Sequence, residues 1–138
     1  MKNYRARIRG PLLEHFDVHI VLPPADVAQL QSAPRGESSS EVQKRVIAAR
    51  ALQTARAELH GSARTNAQLS LHDQNRFASP DAAGLKVMSQ AIEHLKLSSA
   101  NCGQLLRVAR TIADLEGSDA VRAPHVAEAV HALKGDAA

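Results

Sequence analysis

The sequence predicts a mainly α fold, a helical bundle of about five helices preceded by one short N-terminal β-strand. Three observations carry this prediction. Residues 98–117, projected at about 100° per residue, set Leu105, Leu106, Val108, Ala109, Ile112, Ala113 and Leu115 on one apolar arc, with Arg107, Arg110, Thr111 and Asp114 opposite. Hydrophobic residues make up 44% of the chain but include only two Phe and one Tyr, so the core is built from small aliphatic side chains suited to close helix packing. Period-two alternation, the mark of a strand, is confined to residues 16–22, where Phe16, Val18, Ile20 and Leu22 interleave with Asp17, His19 and Val21 before Pro23 and Pro24 end the run.

In chain order, a short helical turn is expected over residues 25–31 and a loop over 32–37. Ser38 and Glu41 stand three apart as a capping box, in which each side chain reaches the other's backbone amide. The helix they open runs from about Glu41 to His60 and stops at Gly61, with Val42, Val46, Ala49 and Leu52 as its inward residues. Residues 61–68 read as a loop and 70–77 as one short helix. Ser79, Pro80 and Asp81 open the next helix with Pro80 at the first helical position, where its missing amide costs nothing; Gly84 weakens that helix by about 1 kcal/mol. After Leu97 comes the amphipathic helix, ended by Gly117 in the left-handed conformation favoured at C-caps. A last helix from Pro124 to about Lys134 presents Val126, Ala127, Val130 and Leu133, and residues 135–138 form a loose tail.

At 138 residues the chain fits one domain able to bury a core without staples. A lone Cys102 forms no internal disulfide, and neither a signal peptide nor a bilayer-spanning apolar stretch is evident, which points to a soluble, cytoplasmic protein with no membrane partner. The net charge of +3 is concentrated in the N-terminal half. Lys2, Arg5, Arg7, Arg9, Lys44, Arg45 and Arg50 therefore form the candidate set for a nucleic-acid-binding accessory module, weighed against a solvated basic surface. The scarcity of aromatic side chains argues against a base-stacking platform.

Neither a GxxxxGK[ST] phosphate loop nor a GxGxxG turn is present. Of the seven histidines, His15 and His19 stand four apart, but on a strand that spacing separates them by more than ~12 Å, so no metal site is expected. Cys102 has no base at a telling spacing and reads as a packing residue. Arg110 and Asp114 form an i,i+4 pair of the kind that stabilises a helix by about 0.2–0.5 kcal/mol. Arg107, Arg110, Asp114 and Gly117, with Ser38 and Glu41, are assigned structural roles, contact of the two arginines with nucleotide or DNA being the alternative.

Four blocks in order, GPLLEHFDVHIVLPP, GESSSEVQKRVIAARALQ, NAQL and LLRVARTIADLEGSDAVRAPHVAEAV, resemble the C-terminal region of the ComM/YifB branch of the magnesium-chelatase-like AAA+ ATPases. The resemblance covers residues 4–131. It implies that residues 1–37 correspond to the last strand and linker of an AAA+ core, and residues 38–134 to the helical lid. It further implies an AAA+ core domain or neighbouring subunits as partners, and ATP and magnesium as cofactors of full-length relatives only. DNA branch migration is implied for the ComM relatives.

Two positions depart from the family pattern. Where the family reads GPLLDRFDLH, this chain has Glu14 and His15, so His15 replaces the residue resembling an arginine finger. Where the family reads LSARAYHRILRVARTIADL, Ala100 replaces the residue resembling the sensor-2 arginine. A guanidinium is always charged and offers phosphate a planar fork, which imidazole does poorly and a methyl group not at all. The expectation is a lid module that is not an ATPase by itself and binds no cofactor or metal, with no catalytic residue of its own.

Overall fold

The structure, a computed structural model, describes residues 16–22 and 36–134. Among these residues the regular elements are helical: α1 (Ser39–His60), a 3-10 turn (Asn66–Gln68), α2 (Leu71–Phe77), α3 (Ala82–Leu95), α4 (Ser99–Glu116) and α5 (Ala123–Lys134). The expected turn over 25–31, most of the 32–37 loop and the 135–138 tail lie outside the described residues. So do Lys2, Arg5, Arg7, Arg9 and His15.

The starts of α1 to α4 are each fixed by a side chain that supplies what the first-turn amides lack. At α1 the Ser38 hydroxyl accepts from the Glu41 amide at 3.3 Å, and the Glu41 carboxylate accepts from the Ser38 amide at 3.1 Å. Ser70 caps α2 by accepting from the Asp73 amide at 3.1 Å. A second capping box at α4 joins Ser98 to Asn101. Gly61 (φ 65°) and Gly117 (φ 74°) terminate α1 and α4 in the left-handed region, and Lys96 (φ 50°) does the same for α3 without glycine's freedom.

Helix α4 is the central strut, with α1 on one side and α5 on another, and α5 in turn packs on α3. Its arc Leu105, Ala109 and Ala113 is fully buried against Val121, Val126 and Ala129, with Val87, Met88, Leu97, Val108, Ile112 and Val130 closing the periphery. Alanines at the contacts let the helices approach closely, and the apolar area removed from water supplies the drive at roughly 25 cal/mol per Å². Of the apolar arc expected on this helix, Leu106, Val108 and Ile112 are half-buried and Leu115 is exposed. The buried surface is instead rotated to include Arg110 and Asp114.

Helix α1 also buries a different face from the one its sequence suggested. Of Val42, Val46, Ala49 and Leu52 only Ala49 is buried, and the inward stripe is Ala49, Gln53 and Ala57. The helix docks through small residues and one amide, with Arg56 meeting Asp114 of α4 beside them, and its larger aliphatics stay outside. Pro80 likewise stands before the cap rather than at the first helical position. Asp81 is the N-cap, its Oδ1 accepting from the Gly84 amide at 2.7 Å, while the Asp81 amide donates to the Val121 carbonyl at 2.9 Å. Pro80 and Val121 thereby form an isolated parallel bridge.

Residues 16–22 pair with no strand among the described residues. The His19 amide donates to the Ala132 carbonyl of α5 at 2.8 Å, and Asp17 lies 3.7 Å from Arg107 of α4. Phe16, Val18, Ile20, Val21 and Leu22 are all exposed.

Two predictions follow from these caps. A Cβ at Gly84 would lie 2.8 Å from the Pro80 Cβ, so Gly84→Ala lowers stability by about 1–3 kcal/mol by overpacking despite alanine's better helix propensity; a raised urea midpoint would contradict this. The Ser38 hydroxyl and amide together hold the Glu41 carboxyl below its ordinary pKa. A depressed native value means that the cap's contribution is present above the unfolded-state pKa and is lost as pH falls through the native one. Amide exchange at the start of α1 should therefore speed up on acidification through the carboxylate range, and Ser38→Ala, which removes the hydroxyl and keeps the amide, should weaken that dependence.

Candidate functional site

The polar cluster of the interior is built around Asp114, whose side chain is fully buried in the last turn of α4. Its carboxylate accepts from Arg56 Nη2 at 2.6 Å, from Asn66 Nδ2 at 2.7 Å, and from Arg110 Nε at 3.1 Å. Helices α1 and α4 and the 3-10 turn thus meet on one carboxylate. Asn66 is itself held by Arg56, which donates to its Oδ1 at 3.0 Å, and donates to Thr111 Oγ1 at 3.1 Å.

Arg110 extends the cluster. Its guanidinium donates to the carbonyls of Ser118 at 2.5 Å, Asp119 at 2.8 Å and Phe77 at 3.3 Å. The end of α2 and the α4–α5 connector are fastened to α4 by one side chain. Burial lowers the proton affinity of Arg110, Asp114 opposes that shift, and neighbouring Arg56 adds to it; an arginine nevertheless stays charged. Two guanidinium groups share one carboxylate, which leaves the cluster with a surplus positive charge.

Asp114 is committed to holding three elements together. The i,i+4 spacing of Arg110 and Asp114 was visible in the sequence, but its usual surface value of a few tenths of a kcal/mol understates a pair that is 2% and 0% exposed. Arg56, 58 residues from Asp114, carries no sequence signal that marks it as a partner.

The remaining candidates are dispersed. Arg107 is half-buried beside Asp17, and its Nε is buried without a hydrogen-bond partner. Ala100 is exposed in the first turn of α4, where its methyl group offers a phosphate neither charge nor donor. Lys44 is exposed, Arg45 pairs with Glu37 at 2.7 Å, and Arg50 donates to Gln53 Oε1 at 3.0 Å. At about 100° per residue these three spread around α1 rather than forming a stripe. Cys102 is a free, half-buried thiol.

His125, missed in the sequence as a core residue, is 3% exposed. Its Nδ1 accepts from the Arg122 amide, which fixes the proton on Nε2, and Nε2 donates to the Glu116 carboxylate. Among the described residues no group of three His, Cys, Asp or Glu could hold a metal ion. No helix among them is long and apolar enough to cross a membrane.

Replacing Asp114 with Asn should lower the unfolding free energy by about 3–5 kcal/mol, the range for leaving buried charges uncompensated, as read by urea denaturation. A loss below about 1 kcal/mol would show that the cluster is not what joins α1 to α4.

Residues 36–132 match the family described as magnesium chelatase, subunit ChlI C-terminal. The matched span begins just before the α1 cap and includes nearly all of α5. The chain is 37% identical over 129 residues to the protein YifB of Salmonella typhimurium, and 36% identical over 129 residues to YifB of Escherichia coli. It is 34% identical over 128 residues to the competence protein ComM of Haemophilus influenzae. Each alignment covers 92% of this chain and 24% of the relative, so the chain spans about a quarter of their length. With the helical body inside the matched span and these relatives aligned along nearly the whole chain, the protein belongs to the magnesium chelatase subunit ChlI C-terminal family, on its ComM/YifB branch.

Proposed function

We propose that residues 38–134 serve as the helical lid of a ComM/YifB-type AAA+ ATPase, with residues 1–37 as the last strand and linker of the adjoining core. In this reading the chain hydrolyses no ATP by itself. It acts as a packing or oligomerisation module of an ATP-driven motor that remodels DNA.

The observation that carries this reading is the combination of a family-matched helical body with an apolar segment that the body does not cover. Ile20 is 76% exposed and Leu22 85% exposed, yet the segment is fastened through His19 to α5 and through Asp17 to Arg107 of α4. Such an alternating apolar run suits the edge of a sheet supplied by an ATP-binding core. Absence of catalysis by the chain alone follows from its chemistry. His15 and Ala100 occupy the positions assigned to the arginine finger and to sensor 2, and loss of an arginine finger costs about 10³–10⁵ in rate. Full-length relatives would bring the magnesium and ATP site with their own core.

The test mixes this chain with the ATP-binding portion of E. coli YifB, reading complex formation by sedimentation and turnover by phosphate release. The chain alone should release no phosphate, and a stoichiometric complex should form that Ile20→Lys weakens at least tenfold without changing the helical circular dichroism. Turnover by the chain alone would overturn the reading, as would failure to bind the core. A salt-sensitive complex of the chain with duplex DNA, its affinity falling steeply as salt rises, would favour the nucleic-acid accessory module instead.

A further inference from the structure

Between α1 and α4 lies a cleft of about 340 Å³ whose walls include Val46, Ala49 and Leu115, and whose polar lining includes Gln53, Asn66 and Thr111. Arg50 stands at this cleft, exposed and free of any ion pair among the described residues. We propose that the cleft binds an apolar peptide segment of a partner protein bearing one carboxylate, with Arg50 as the group that pairs with it.

Charge argues for the sign of the ligand. Asp114 is the only carboxylate in the cluster beneath the cleft, and it already serves both Arg56 and Arg110. No carboxylate lines the cavity itself. Adding Arg50 leaves three guanidinium groups against one carboxylate, an imbalance that a bound anion relieves. Of its five N–H donors, Arg50 donates one to the buried Gln53, which steadies the guanidinium and leaves the others available. An arginine held in place before binding loses less side-chain entropy when its partner arrives.

Shape and polarity argue for a carboxylate on an apolar stem rather than a bare phosphate. Val46 and Leu115 are each 44% exposed, so large aliphatic surface flanks the cation. Leu115 also lines two adjoining cavities of about 480 and 490 Å³ along α4. Those two cavities also carry Asp17, Glu116 and Glu128, so the carboxylate-free aliphatic surface is that of the cleft beside Arg50. Asn66 and Thr111 are occupied with Arg56, Asp114 and each other, which leaves Arg50 as the residue that selects charge. The site is a property of this chain alone and does not depend on the ATPase reading.

The test titrates an acetylated, amidated pentapeptide Leu-Ala-Glu-Leu-Leu, and its twin with Gln for Glu, into isotopically labelled protein. The side-chain amide resonances of Gln53 and Asn66 are followed. The acidic peptide should shift both saturably, and the Gln twin should bind at least tenfold more weakly. Arg50→Met should remove this discrimination. Val46→Glu, which places a carboxylate one helical turn before Arg50, should block the acidic peptide while keeping the helical circular dichroism. Equal binding of the two peptides, or none, overturns the proposal. So does inorganic phosphate or duplex DNA that shifts the same resonances as strongly as the acidic peptide, since the cleft would then recognise phosphate without the apolar stem.

Discussion

The Asp114 carboxylate, closed off from water between Arg56 and Arg110, is the constraint on which the arrangement of the bundle depends. Aliphatic packing among Leu105, Ala109, Ala113, Val126 and Ala129 supplies the drive toward a compact α3–α4–α5 core, but such contacts are non-directional. The carboxylate adds direction. Through it α1 is aligned on α4 and the 3-10 turn is fixed by Asn66. Through Arg110 the carbonyls of Phe77, Ser118 and Asp119 are tied to the same helix. A buried ionic cluster of this kind is strongly coupled, because removing one member exposes the desolvation cost of the others.

Much of the fold could be read from local chemistry, and the failures share a cause. Ser38, Glu41, Gly61, Ser98 and Gly117 act within one turn of their own helices, so their roles are written in sequence neighbours. What α1 buries depends on a helix about fifty residues later. Aliphatic periodicity points to Val42, Val46 and Leu52, whereas α4 presents Asp114, which pairs with Arg56 of α1. Arg110 and Asp114 fall opposite the apolar arc, yet both are buried. Three-dimensional satisfaction of that charge by distant carbonyls leaves no local trace. Gly84 shows the same limit: helix propensity makes it a weakness, yet the Pro80–Val121 crossing requires the missing Cβ.

The family relationship and the geometry bear on different parts of the molecule. The matched region coincides with a body fastened internally by the Asp114 cluster, by the His125 bridge between α4 and α5, and by two capping boxes. These features hold the body together as a unit. Ala100, in contrast, sits at the exposed start of the central strut and brings no functional group to its surroundings. Arg107 connects the two regions: it lies on α4 and faces Asp17, so the orientation of residues 16–22 is referred to the same helix that organises the core.

The separation of Arg56 from Asp114 along the chain also has a kinetic meaning. Closing their 58-residue loop costs about 1.6 kcal/mol more in chain entropy than closing the nine-residue loop between Arg110 and Asp119. Contacts between α4 and α5, which residues 117–122 alone separate, are local by comparison, and low contact order favours fast folding. During synthesis α1 is complete before Asp114, the residue that anchors it, exists.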